Sequence, residues 1–378
     1  MVSSKYNYTQ HNMKSKYTLP GTVVLFATIF LLGACSNELS RPTVSIEGNQ
    51  FHMNGELTYK GRHWEGHKIE GLLMNSRMVQ GIFDDLNPET ALKWKYPDTG
   101  LWDPGRNTDE FVSAMEDWHA HGLLSFTINL QGGSPMGYGN HGWYNSAYDE
   151  QGELRPAYMA RLKKILDKAE ALKMVPIVGL FYFGQDQYLE DETAVVNAAN
   201  NAMDWILEQG YRNLLVEVAN ECDNSAYEHE IIQADRVHEL IELVKTKEKD
   251  GMSCLVSTSY NGNQIPRSNV VQSADFLLIH GNGVDDPARI SAMVELVKQV
   301  EGYTPKPIVF NEDDHYDFGE TNNNMVAAVK AYASWGYFDF RRDGEAFEDG
   351  YQSVPADWKI SSERKKAFFN KVKEITGY

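Results

Sequence analysis

Two apolar runs in this chain end on an acid. Residues 216–221 read VEVANE and residues 307–312 read PIVFNE. A buried strand does not place a carboxylate at its last position unless that end opens onto something polar, because an unpaired buried charge is costly. Two carboxylates facing one another across a cleft are what cleavage of a glycosidic bond requires. One protonates the departing sugar oxygen, and the other attacks the anomeric carbon or activates a water to do so. A separation of about 5–5.5 Å suits direct attack, whereas about 6.5–9.5 Å leaves room for a water. The acid must hold its proton near neutral pH while its partner stays ionised, so the two environments must differ. Glu221 and Glu312 are therefore the candidate catalytic pair. Glu217, inside the first run, is expected to face a partner in the interior.

The elements that position these acids follow from the hydrophobic pattern. Short apolar strands are predicted at 79–83, 124–130, 175–181, 214–219, 253–258, 276–280, 307–311 and 336–340. Between them, apolar residues recur at helical spacing, as at 109–121, 157–173, 193–209, 229–248, 288–301 and 322–335. A last helix is predicted over 362–375, capped by Ser361 or Ser362. Eight strands alternating with helices predict an α/β fold, a (β/α)8 TIM barrel forming a single catalytic domain over 44–378. The alternation over 43–59, with turn signals at Gly48-Asn49 and Asn54-Gly55, predicts a short N-terminal β-hairpin. A doubly wound sheet would advertise a Gly-rich phosphate turn after its first strand, and GIFDDLN (81–87) is not one. In a barrel the C-terminal strand ends share one mouth, so the ends of strands four and seven face a common space.

Asn-Glu closing strand four and Glu closing strand seven resemble the retaining (β/α)8 glycoside hydrolases of clan A, which include cellulase-like, β-mannanase-like and β-galactosidase-like enzymes. The resemblance implies Glu221 as general acid/base and Glu312 as nucleophile, with Asn220 on the substrate hydroxyl beside the reacting carbon. It implies that His280, ending FLLIH (276–280), holds the nucleophile. FHMNGELTYKGR (51–62) looks like the strand pair that plugs the barrel floor in several such families. An aromatic platform is expected after strand eight, where this chain offers Phe340, Arg341 and Arg342 in place of a tryptophan.

Other strand ends supply candidate substrate contacts. Asp84 and Asp85 follow the first predicted strand, as sugar contacts or helix caps, Asn129 closes the second, and Tyr182 and Phe183 close the third. Arg341 is a candidate for a sugar carboxylate or sulfate, or else pairs with Asp339 or Asp343. The loop 131–152 is long and rich in glycine and aromatics, which marks it as functional. Tyr138, Trp143, Tyr144 and Tyr148 are candidate walls for sugar rings, with Trp143 as the exposed member. Trp102, in loop 96–109, is placed on the opposite rim.

A formal charge of −18 argues against nucleic acid as the partner, and the paired acids point to a carbohydrate substrate. No cofactor or metal is called for. Residues 1–35 read as a lipoprotein-type signal peptide, with Lys14 and Lys16 before the apolar stretch 23–35. Leu32-Gly33-Ala34-Cys35 looks like a bacterial lipobox, so Cys35 is the expected lipidation site and 36–43 a tether. The protein is thus expected to be exported and lipid-anchored to a bacterial outer membrane or cell surface, with secreted or periplasmic as the alternative. Cys222 and Cys254 fall at opposite ends of neighbouring strands and are expected to be free, buried thiols. Two other readings remain. A metal-dependent hydrolase on the same barrel would use NEDDH (311–315) with His280. A non-catalytic glycan-binding lipoprotein would have no need of both acids.

Overall fold

The computed structural model describes residues 41–140 and 142–378. The expected signal peptide, Cys35 and residues 36–40 of the tether lie outside the described residues. Eight short parallel strands among the described residues form the barrel: β1 (Asn75–Ser76), β2 (Ser125–Asn129), β3 (Val175–Tyr182), β4 (Leu215–Asn220), β5 (Leu255–Ser257), β6 (Leu277–His280), β7 (Ile308–Glu312) and β8 (Gly336–Tyr337). Ladders join β2 to β3, β3 to β4, β4 to β5, β6 to β7 and β8 to β1. Isolated bridges extend the ring, Arg77 to Thr127 between β1 and β2, and Val309 to Ser334 and Asp313 to Tyr337 between β7 and β8. Between β5 and β6 the Asp275 N–H donates to Val256 O at 2.9 Å. The strands are almost wholly buried, as expected where helices cover the outer face and side chains fill the interior.

Eight helices among the described residues surround them: α1 (Pro104–Ala120), α2 (Pro156–Leu172), α3 (Glu192–Gln209), α4 (Val237–Lys245), α5 (Ser268–Ser273), α6 (Pro287–Lys298), α7 (Asn324–Lys330) and α8 (Glu363–Thr376). Their starts follow from local chemistry. Asp103, Asp191, Asp286, Asn323 and Ser362 each accept a backbone N–H of the first turn, and proline opens α1, α2 and α6. No described helix is long and apolar enough to cross a membrane. The N-terminal strands Val44–Glu47, Gln50–Met53 and Glu56–Leu57 form the expected antiparallel plug. Val44 bonds to Arg212 ahead of β4, and Phe51 packs on Phe276 ahead of β6, which seats the plug on the barrel floor.

The first strand departs from expectation. VQGIF is a buried 3-10 turn, Val79–Ile82, and the strand lies upstream at Asn75–Ser76. Gly81 packs so closely that a Cβ would sit 2.8 Å from the Phe111 ring of α1. The whole stretch 71–83 is buried, so its apolar pattern could not separate strand from turn. Asp84 and Asp85 therefore do not close a strand, and Arg77 stands at the mouth instead. Helix 229–248 is also divided, into a 3-10 turn (Glu230–Ile232) and α4. Cys222 and Cys254 are free and buried, one past the end of β4 and the other before β5.

Candidate active site

Glu221 is the first residue beyond β4. Its backbone turns left-handed, with φ 52°, and its N–H donates to Ser259 Oγ at 2.9 Å. Glu312 ends β7. The β6–β7 register shifts between Ile279 and His280, so that His280 sits opposite Glu312. Such an irregularity re-aims a side chain that a regular ladder would send elsewhere. One carboxylate oxygen each of Glu221 and Glu312 and a ring nitrogen of His280 lie within 4.8 Å of one another. The two strand-ending acids thus meet, as expected, at one mouth.

Arg77 separates their roles. Its guanidinium is fully buried, with Nε 2.7 Å from Glu312 Oε2 and Nη1 3.9 Å from Glu217 Oε2. The Nε–H is not aimed along the line to Glu312, so charge rather than a linear hydrogen bond holds this pair. Nη2 donates to Asn220 Oδ1 at 2.7 Å. Burial disfavours the Arg77 cation, but Glu312, Tyr182, Glu217 and Glu221 outweigh it and the group stays charged. Burial also pushes the Glu312 carboxyl up, opposed by Arg77 and His280. The guanidinium in contact, with Asn282 Nδ2 donating to Oε1 at 2.6 Å, gives Glu312 the better-compensated anion. Among the described residues, Glu221 has no such cation in contact. Burial raises its carboxyl to about 7, with Arg77 opposing and Asp223 adding. The surroundings favour the proton on Glu221 and the negative charge on Glu312.

The raised Glu221 carboxyl has a stability consequence. A carboxyl that holds its proton more tightly in the folded protein than in the unfolded chain favours folding at low pH, and that contribution disappears as pH rises through about 7. Glu221→Gln carries no titrating proton. Its stability relative to wild type is expected to rise between pH 4 and pH 8 by up to about 3 kcal/mol, since each tenfold difference in proton affinity is worth about 1.4 kcal/mol. Urea unfolding at both pH values measures the difference. A constant difference would mean that Glu221 is not held protonated.

His280 is placed otherwise than expected. Its Nδ1 is 2.9 Å from Glu221 Oε1 and 3.7 Å from Glu312 Oε2, so it lies closer to Glu221 than to Glu312, the residue it was expected to hold. Burial lowers its pKa and favours the neutral ring. Asn220 Nδ2 is buried at the mouth and has no hydrogen-bond partner among the described residues. Tyr182 is also in place, its ring 5.7 Å from the Arg77 guanidinium and its hydroxyl 2.9 Å from Ser134 Oγ. Glu217 faces inward onto Arg77 and Asn311, as expected.

Four expectations are corrected. Asn129 closes β2 but is sealed beneath the mouth, so close to Gly179 that a Cβ there would meet its Oδ1 at 2.1 Å. Asp84 pairs through Oδ2 with Arg161 at 3.6 Å and accepts through Oδ1 from Trp102 at 3.4 Å, so both its oxygens already have partners. Arg341 donates to Pro355 O at 2.6 Å, because Asp339 is already taken by Arg364 at 2.7 Å. Trp143 is only 7% exposed and belongs to a separate apolar cluster with Phe83 and Trp94. Trp102 packs against the same cluster. The exposed aromatic of the loop is Tyr138. Arg77 and Asn282 were missed. Their signals were a lone arginine in a buried run and the second residue past His280.

The donor sets do not suit a metal. Where Glu221, His280 and Glu312 converge, a guanidinium already sits on Glu312. Asp313, Asp314 and His315 also cluster. There His315 Nδ1 lies 3.0 Å from Asp313 and 3.2 Å from Asp314, and Nε2 lies 3.1 Å from Asp285. The hydrogen bonds to Asp313 and Asp314 push its pKa up to about 11, so both ring nitrogens carry protons and neither offers a lone pair. Asp313 is further bound by Trp335 Nε1 at 2.9 Å and Asn324 Nδ2 at 3.2 Å, facing away from the cleft.

No protein-family model and no curated protein matches this chain in sequence. Solved structures do match in fold. An endo-1,4-beta-mannanase from Rhizomucor miehei aligns at 12% identity and TM-score 0.56, over 89% of this chain and 99% of that one. A glycoside hydrolase family 5 enzyme from Prevotella bryantii aligns at 12% identity and TM-score 0.53, over 81% and 96%. A broad-specificity endoglucanase of family 5 from Ruminococcus flavefaciens aligns at 14% identity and TM-score 0.52, over 81% and 96%. The (β/α)8 fold read from the alternating pattern is borne out.

Proposed function

We propose, from a barrel fold shared with family 5 glycoside hydrolases and from the paired acids at its mouth, that this protein is a retaining glycoside hydrolase. The observation that carries this reading is the approach of Glu221 and Glu312 to within 4.8 Å, with a buried guanidinium on Glu312 alone. A separation of this order favours direct attack over the about 6.5–9.5 Å of the water-mediated route. The mannanase and endoglucanase neighbours support β-linked mannans or glucans as the substrate class.

The steps follow from the placement of charge. Glu312 attacks the anomeric carbon, and the bond to the leaving oxygen breaks as Glu221 gives up its proton to that oxygen. A glycosyl ester on Glu312 results. Glu221, now ionised, takes a proton from an incoming water, whose oxygen displaces Glu312. The sugar leaves with its original configuration, and both acids return to their starting states. Asn220 Nδ2 supplies a donor for the hydroxyl beside the reacting carbon. His280 keeps the Glu221 carboxyl in place through both transfers.

A bell-shaped pH dependence is expected. The acid must be protonated for the first step, so activity falls on the alkaline side as pH rises through about 7. It falls on the acid side as Glu312 takes up a proton. In Glu221→Gln the alkaline limb should vanish together with most of the activity. Kinetics across pH, with proton NMR of the first-formed anomer, test both points. An alkaline limb unchanged in the Gln variant, or a product of inverted configuration, would defeat the assignment.

A further inference from the structure

The loop after β2 does not stop at the barrel rim. It is anchored on both sides of Tyr138. Upstream, the Gly133 carbonyl accepts from the side-chain amides of Gln80 and Gln352, and the Pro135 carbonyl accepts from Val354 N–H at 2.9 Å. Downstream, Asn140 Nδ2 donates to the Phe183 carbonyl at 2.9 Å. Gly137 and Gly139, at φ 104° and 90°, allow the chain to turn tightly around Tyr138. A Cβ on Gly137 would come 3.0 Å from the Phe340 ring, so the loop lies directly on the segment after β8.

Tyr138 is 58% exposed, yet it is held at both ends. Its ring rests on Phe338 and Phe340, with centroids 5.5 and 5.2 Å away. Its hydroxyl donates to Asp314 in the loop after β7. Asp314 is fixed in turn by the Gly283 N–H at 3.1 Å and by His315 at 3.2 Å. The β2 and β7 loops are thus joined across the ends of β8 and β1.

An opening lies beside this strap. A cleft of about 550 Å3 is lined by Phe183, Glu221, Asn261 and Asn282, with Tyr138 and Asp314 as its wall. Glu221 borders this cleft, whereas Glu312 is only 3% exposed. In the retaining reaction the attacked sugar lies between the two acids, and the departing portion lies on the proton donor's side. The open cleft therefore receives the departing portion. The strap joins the β2 and β7 loops across the ends of β8 and β1, and on this reading it stands beyond the attacked sugar, where a longer chain would have to continue.

We propose that the Tyr138–Asp314 strap closes the cleft behind the attacked sugar, so that the protein releases single sugars from the non-reducing end of a glycan. This rests on the hydrolase reading above and makes Tyr138 a specificity-determining residue. Each cycle adds one water across the terminal glycosidic bond. It gives a free sugar with retained configuration and a chain one residue shorter.

The test uses manno-, cello- and galactohexaose carrying a fluorophore at the reducing end, resolved after brief digestion. Wild type is expected to give the labelled pentaose first and then a descending ladder. Removing the wall in Tyr138→Ala is expected to raise labelled products from mid-chain cleavage by about tenfold or more, the scale of pocket-based exclusion. The same hexaoses blocked by a 4,6-acetal on the non-reducing terminal sugar are expected to resist the wild type, a measurement independent of how the variant folds. Mid-chain products among the first wild-type products, or cleavage of blocked chains as fast as free ones, would overturn the proposal. The hydrolase reading is scored separately, by Glu312-dependent release of 4-nitrophenol from aryl glycosides of the same sugars. If Glu312-dependent cleavage of every probe is absent, that reading fails and takes this inference with it.

Discussion

Glu312→Gly is expected to lower turnover by about 10,000-fold or more on every substrate, whatever its leaving group, because it removes the group that bonds to carbon. Glu221→Ala should behave differently. With an ordinary sugar as leaving group the loss is expected to be about 100- to 10,000-fold, the contribution of a positioned proton donor. With 2,4-dinitrophenol, which departs without a proton, the first step should run nearly as in wild type and the glycosyl ester should accumulate. Azide then distinguishes the two acids. In Glu312→Gly it fills the space left by the carboxylate and gives a glycosyl azide of inverted configuration. In Glu221→Ala it attacks the ester on Glu312 and gives the retained configuration. NMR of the two azides reads the assignment directly. If both variants gave the same anomer, or if azide inverted configuration in Glu221→Ala, the roles assigned from Arg77 would be wrong.

Arg77→Met is expected to produce the largest structural penalty in the site. The guanidinium is fully buried and faces Glu312 at 2.7 Å and Glu217 at 3.9 Å. Removing one member of a buried charge group leaves the others uncompensated, at a cost of about 3–5 kcal/mol. Glu312 would relieve this by taking up a proton, since burial already pushes its carboxyl up and Arg77 is the leading opposing influence. A protonated carboxyl does not attack, so activity should fall and the acid limb of the profile should move to higher pH. Arg77→Lys keeps the charge but loses the fork that also reaches Asn220 at 2.7 Å. It should fold better than the Met variant and hold the acid limb closer to wild type. Urea unfolding and kinetics at several pH values measure both effects. An acid limb unmoved in Arg77→Met would show that the guanidinium does not keep Glu312 ionised.

Much of this site was legible because a strand ending on an acid breaks an otherwise apolar pattern. Glu221 and Glu312 stood out for that reason, and the alternation of strands and helices placed them at one mouth. Helix starts were legible where a capping side chain preceded an amphipathic run, as Ser362 does before α8. Arg77 was not, because residues 71–83 are buried throughout and the real strand, Asn75–Ser76, is the more polar part of that stretch. Interior positions near a barrel mouth tolerate polar groups that pair with one another, and a search for apolar runs passes over them. The loop aromatics failed for a different reason. Composition marked 131–152 as functional but carried no information on which ring faces solvent. Trp143 turned inward to Trp94 and Phe83, and Tyr138 remained at the opening.

The left-handed turn at Glu221 has a consequence for how such a scaffold diversifies. A residue with a side chain in that conformation sits about 1–2 kcal/mol above the ordinary helical or extended form. Its backbone N–H is clipped to Ser259, just past the end of β5, and not to any of the long rim segments. The aim of the proposed proton donor is therefore set by the barrel's own framework. Rim segments can lengthen, shorten or exchange aromatics over generations and change which glycan is admitted, while the bond-breaking apparatus stays in register beneath them.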